Sequence, residues 1–151
     1  VGFIFDKKDI YAGVIADGFH SNFASIRIAH GVLQDKLYLV TDAVSPAGTD
    51  MKEFIFEGKR VFHENGKCFD ENGTLGGSAL VMNAGVRNLV HHTGLPKEEA
   101  LRMATSYPAK AISVEDRYGF IKPGYVADFA ILNDNFDVLG IVAKGKYKKF
   151  N

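Results

Sequence analysis

"YAGVIADGFHSNFASIRIAHGVLQDKLYLVTDA", residues 11–43, decides the fold. Its first eight residues are apolar on nearly every position until Asp17 and Gly18 close the run. A strand exposed on one face would alternate, so this one is covered on both faces, as in a parallel sheet. Phe23, Ile26, Ile28 and Leu33 then recur partly at helical spacing, and Ser21 or Asn22 can cap the start of that helix. "KLYLV" at 36–40 reads as a second buried strand ending on Thr41 and Asp42. Strand, helix and strand in about thirty residues make a βαβ unit, whose right-handed crossover sets the two strands parallel.

Downstream the texture changes. "EFIFEGKRVFHENGKCFDENGTL" (53–75) holds short β-rich pieces broken by Glu57-Gly58, Asn65-Gly66 and Asn72-Gly73. Asn-Gly between strand-like runs signals hairpins, so the spacing predicts one or two of them over 53–73 as an excursion from the α/β layer. After Gly76, Gly77 and Ser78 a helix is expected to run to about Thr93, burying Met82, Val86, Leu89 and Val90, with Gly94 as its C-cap. A second helix begins in "LPKEEALRMATSYPA" (95–109), with Pro96 in its first turn and Pro108 interrupting or kinking it. From Gly119 the pattern is β again, with two or three strands and turns at Pro123-Gly124 and Asn133-Asp134.

Two buried parallel strands need sheet neighbours on their outer edges, and the rest of the sequence offers none. A (β/α)8 barrel takes eight such units and about 250 residues. The opening "VGFIFDKKD" lacks a Met and runs almost at once into strand-like text. The reading is a piece of a longer protein whose missing strands lie upstream of Val1.

The totals exclude several classes of function. Lys plus Arg equals Asp plus Glu at 18 each, without a block of like charge, so no net field favours nucleic acid or anionic lipid. No apolar stretch is long enough to span a bilayer, and no leader pattern opens the chain. Cys68 stands alone, which rules out an internal disulfide and points to a reducing, cytoplasmic setting.

Chemistry gathers at the strand ends. Asp17 and His20 follow the first strand and Asp42 ends the second. Parallel strands share their carboxyl edge, where ligands bind in α/β folds. His20 and Asp42 therefore fall on one rim, where an imidazole and a carboxylate suit proton transfer and substrate orientation. Taken singly, each has a plainer reading: Asp42 as an Asx-turn before "AVSPAG", His20 as a loop histidine. "GTLGGSA" sets glycines and Ser78 ahead of a helix, where amide N–H groups could meet an anion or a sugar. His91 and His92 read as a solvated pair at a helix end. His30 and His63 have no partner at a known metal spacing, so no complete metal site is expected within these residues.

"IADGFH", "KLYLVTDAVSPAG", "DENGTLGGSALVM", "MATSYPAKAI" and "GFIKPGYVADFAIL", in that order, resemble the C-terminal part of the N-acetylglucosamine-6-phosphate deacetylase family, within the amidohydrolase superfamily. The resemblance implies a (β/α)8 TIM-type barrel with a small β-sandwich built from both chain ends. Residues 1–118 would be the last part of the barrel, with strands seven and eight, and 119–151 would be strands of the sandwich. It implies hydrolysis of the acetamide of N-acetylglucosamine 6-phosphate to acetate and glucosamine 6-phosphate. Asp42 would take a proton from a metal-bound water and pass it to the leaving amine. His20 would bind substrate, and Gly76, Gly77 and Ser78 would form the sugar-contacting loop. The ligands of the divalent metal (Zn or similar), a glutamate and two histidines, would lie upstream, as would a phosphate-binding arginine supplied by the partner in a homodimer. The fragment alone would then be inactive. Two other readings stay open: another amidohydrolase, dihydroorotase- or deaminase-like, or a non-catalytic module derived from the barrel.

Overall fold

A computed structural model describes residues 2–7 and 9–150. In chain order its elements are α1 (Gly2–Asp6), β1 (Ala12–Ile15), α2 (Phe23–Leu33), a 3-10 turn (Gln34–Lys36), β2 (Leu37–Val40), β3 (Glu53–Phe56), β4 (Lys59–Glu64), β5 (Lys67–Asp70) and β6 (Leu75–Ser78). Then follow α3 (Met82–Asn88) with a π-turn (Leu89–Thr93), α4 (Lys97–Met103), α5 (Ser106–Ala111), β7 (Phe129–Leu132), β8 (Val138–Ala143) and β9 (Lys146–Lys149). The architecture is mixed α/β, as read from the sequence.

β1 and β2 pair in parallel, from Ala12 opposite Leu37 to Ile15 opposite Val40. Asn22 caps α2 between them, its Oδ1 accepting from the Ala24 amide at 2.8 Å. Ile26 and Leu33 turn inward, but Ile28 is exposed. It lies two positions from Ile26, about 200° around the helix, so both cannot face the strands. The core joins this βαβ unit to the later helices: Val14, Ala16, Leu37 and Leu39 pack with Val86, Leu89, Ala100, Met103 and Tyr107. Fully burying a leucine such as Leu39 contributes roughly 1.5–3 kcal/mol, so this cluster fixes where the strand ends fall.

The 53–75 stretch is larger than one or two hairpins: β3, β4, β5 and β6 form a four-stranded antiparallel meander. Glu57-Gly58 and Asn65-Gly66 turn with φ of +49° and +77°, and of +50° and +82°. Both central residues lie in the left-handed region, the geometry of a type I′ turn, whose twist matches the strands. The main departure from expectation is at Gly76, Gly77 and Ser78, which are strand β6 rather than a turn leading into a helix. The helix begins at Met82 with Val81 as N-cap, Met82 itself is exposed, and the run closes at Gly94 in the left-handed conformation. The helix after Pro96 breaks at Ala104 and Thr105, ahead of Pro108. Pro108 falls in the first turn of α5, where its missing N–H has no intrahelical partner to lose.

β7, β8 and β9 form a separate antiparallel sheet, and β9 is exposed throughout. Phe136, in the loop before β8, reaches into the main core. Among the described residues no helix is long and apolar enough to cross a membrane.

Candidate active site

Two strand ends and one visiting strand build the site. Asp17 and Asp42 each lie two residues beyond the last β1–β2 pair, Ile15 and Val40, so the register brings them to the same edge of the sheet. Asn88 of α3 donates from Nδ2 to the Ala16 carbonyl at 2.8 Å and ties the end of β1 to the helix.

Asp42 is exposed, and its carboxylate has no hydrogen-bond partner among the described residues. Its backbone is held in the left-handed region at φ +52°, where a non-glycine residue is uncommon and Asp is among the tolerated types. The restraint comes from β6. The Ser78 amide donates to the Asp42 carbonyl at 2.8 Å, and the Ser78 carbonyl accepts from the Val44 amide at 2.9 Å. The Ser78 hydroxyl, 1% exposed as a residue, donates to the Thr41 carbonyl and accepts from the Leu80 amide. Gly77, at φ +75°, has no room for a side chain: a Cβ would stand 2.5 Å from Val44 Cγ1 and 3.2 Å from the Asp42 carbonyl oxygen. The segment expected to offer amides and a hydroxyl to a ligand therefore commits the Ser78 amide and hydroxyl to the protein.

His20 is held by Asp17. One Asp17 oxygen accepts from the amides of Phe19 and His20, both at 2.9 Å, and the other meets His20 Nδ1 at 2.7 Å. The Asp17 side chain is 5% exposed and that of His20 19%. Sequence reasoning placed Asp17 at the strand end but gave it no task. An Asp three residues before a His, followed by a glycine at φ +82°, is the local signal of an Asx-turn that also reaches a ring nitrogen. Beside this pair a cleft of about 370 Å³ is lined by Asp17, Phe19, Phe23, Asn65, Asn88 and His92 among others. His92 is exposed yet stacks on Phe23, with ring centroids 4.5 Å apart. His30 lies away from the rim against Glu99, and His63 Nδ1 faces the Met51 carbonyl. Among the described residues no three His, Cys, Asp or Glu side chains stand together to hold a metal ion.

One edge of the parallel pair thus carries an exposed carboxylate at the end of β2 and an anchored histidine beyond β1. The sequence pattern of the amidohydrolase family matches residues 7–148, and the chain belongs to that family. Within it, the chain is 38% identical over 151 residues to the N-acetylglucosamine-6-phosphate deacetylase of Haemophilus influenzae, a match covering 99% of this chain and 39% of that protein. It is 36% identical over 147 residues to the N-acetylgalactosamine-6-phosphate deacetylase of Shewanella sp., covering 97% and 37%. The crystal structure of N-acetylglucosamine-6-phosphate deacetylase from Pasteurella multocida superposes with a TM-score of 0.96 at 45% identity, covering 99% of this chain and 39% of that one. The chain thus spans about two fifths of the length of these relatives.

Proposed function

We propose that this chain supplies the proton-transfer side of the active site of an N-acetylhexosamine 6-phosphate deacetylase. The observation that carries the reading is Asp42: a carboxylate with no hydrogen-bond partner among the described residues, held at the end of a parallel strand on the same sheet edge as Asp17, which anchors His20. The similarity to deacetylases across 99% of the chain supplies the substrate class. In this reading β1 and β2 are the seventh and eighth strands of a (β/α)8 barrel, and β7–β9 belong to a small β-sandwich.

Asp42 takes a proton from the attacking water as the water oxygen bonds to the acetamide carbon. The same carboxyl then delivers that proton to the nitrogen as the C–N bond breaks, leaving a free amine and acetic acid, which gives up its proton to solvent as acetate. A positioned acid–base group of this kind contributes typically 10²- to 10⁴-fold in rate. His20 contacts the sugar phosphate, and Gly76 and Gly77 of β6 present backbone without side chains to it. Ser78 serves the same strand through its backbone clamp on Asp42. The described residues do not by themselves fit a divalent metal, since no three candidate ligands come together. Its ligands would come from residues outside this set. A homodimer and a partner arginine for the phosphate complete the reading.

The test is acetate release from N-acetylglucosamine 6-phosphate, with N-acetylgalactosamine 6-phosphate in parallel because relatives carry both names. The 151-residue chain with added Zn²⁺ is compared with a chimera in which it replaces the matching part of the Haemophilus influenzae enzyme. The chimera turns over and the chain alone does not. Asp42→Asn in the chimera lowers turnover by about 10²- to 10⁴-fold. Release by the isolated chain would overturn its incompleteness, and full turnover in the Asp42→Asn chimera would remove Asp42 from the chemistry.

A further inference from the structure

Asp17 takes no part in the proposed reaction, yet three contacts hold its carboxylate on the rim. Its carboxylate is nearly buried, and one oxygen is committed to the amides of Phe19 and His20 at 2.9 Å each. That fixes the rotamer and leaves the second oxygen 2.7 Å from His20 Nδ1. An ionised carboxylate can only accept, so the ring nitrogen facing it must carry the hydrogen.

We propose that Asp17 is the positioning residue that sets the tautomer of His20, holding the hydrogen on Nδ1 and turning the Nε2 lone pair toward the substrate. This rests on the reading that His20 meets the sugar phosphate. The hydrogen bond on one ring nitrogen decides what the other can offer. With Nδ1–H pinned, neutral Nε2 accepts from a substrate hydroxyl, and a proton added there makes the same atom a donor beside a phosphate. In either state the ring cannot rotate to present its other nitrogen without breaking the 2.7 Å contact.

Asp17→Asn isolates this role. Its Oδ1 still accepts the two backbone amides, so the turn after β1 is kept. The side-chain NH2 then occupies the place of the second oxygen, where it can only donate. Nδ1 becomes the acceptor, and the hydrogen moves to Nε2.

The experiment is nitrogen-15 NMR of the His20 imidazole in the 151-residue chain, at a pH where the ring is neutral, assigned with His20→Gln. The wild-type chain shows Nδ1 with the shift of a protonated ring nitrogen and Nε2 with that of a lone-pair nitrogen. Asp17→Asn exchanges the two. The wild-type tautomer is read without Asp17→Asn, so a misfolded Asp17→Asn chain, visible in its amide spectrum, does not decide the matter. A hydrogen on Nε2 in the wild type, or a folded Asp17→Asn chain with an unchanged tautomer, overturns the proposal. Adding N-acetylglucosamine 6-phosphate to the chimera, which carries the rest of the site, separates the two readings. An Nδ1–H tautomer with an unmoved Nε2 shift supports the role of Asp17 while counting against His20 as a substrate contact.

Discussion

Ser78 grips Asp42 through the main chain: its amide donates to the Asp42 carbonyl at 2.8 Å, and its own carbonyl accepts from Val44 two residues on. A carboxylate with no side-chain partner among the described residues is thus oriented from behind. The restraint comes from a strand of another sheet, so the meander β3–β6 has a stake in the geometry of the β2 end.

Gly77→Ala is the sharpest probe of that grip. The new Cβ meets Val44 and the Asp42 carbonyl while φ stays at +75°, so stability falls by about 1–3 kcal/mol. Gly58→Ala is the control, since its φ of +77° is as strained but its Cβ meets open space. Urea unfolding of both variants decides. An equal loss at the two sites would show that the contact with Val44 and Asp42 adds nothing.

Ser78→Ala removes a buried hydroxyl that satisfies both the Thr41 carbonyl and the Leu80 amide. Leaving such groups unpaired costs about 1–3 kcal/mol. A thermal unfolding midpoint unchanged from wild type would mean that the hydroxyl carries no such load.

The far side of the layer holds a pH-sensitive joint. Glu99 on α4 accepts from Arg102 and from the Tyr107 hydroxyl, and stands 2.9 Å from His30 Nε2 on α2. Burial pushes the Glu99 carboxyl up, but the bonds from His30, Arg102 and Tyr107 outweigh it and hold it below the usual carboxylate range. A depressed folded value adds stability above the unfolded value, near 4.3, and that part is lost as pH falls through the folded value. The urea midpoint therefore drops on acidification below about pH 4, more steeply in the wild type than in Glu99→Gln. Parallel profiles would remove Glu99 from the acid response.

Cys68 gives a simple check on the meander. It is 1% exposed, and burial pushes its thiol above the ordinary value. A thiolate is the reactive form, so alkylation by iodoacetamide is slow in the native chain and fast in urea. Equal rates would place Cys68 at the surface.

Residues 11–43 carried most of the fold in their own pattern. Unbroken apolar runs of that length, separated by a capped helix, leave a parallel pair as the economical solution, and β1 and β2 are that pair. Turn chemistry was equally plain, because Asn65-Gly66 and Pro123-Gly124 act through the backbone of the residues named. Gly76, Gly77 and Ser78 were not legible. Glycines have no side-chain alternation to announce a strand, and these become one through bonds to Asp42, Val44 and the neighbouring β5, all remote in sequence. For the site, the rim position of His20 and Asp42 followed from topology alone. The hold of Asp17 on His20 needed atomic distances, although the Asp-Gly-x-His spacing carried a hint of it.

The left-handed conformation of Asp42 bears on how freely this sequence can change. The Glu57-Gly58 and Asn72-Gly73 turns end in open space, so residues can be added or removed there with little effect on the strand ends. Between Leu75 and Leu80 an insertion meets the Gly77 approach to Val44 and the Ser78 bonds to Asp42 and Val44. A single added residue would flip β6 by one step and put a side chain where Gly77 now clears the Asp42 carbonyl. The meander is thus two materials joined end to end: an outer part open to variation in length, and an inner part whose spacing is counted residue by residue from the Asp42 carboxylate.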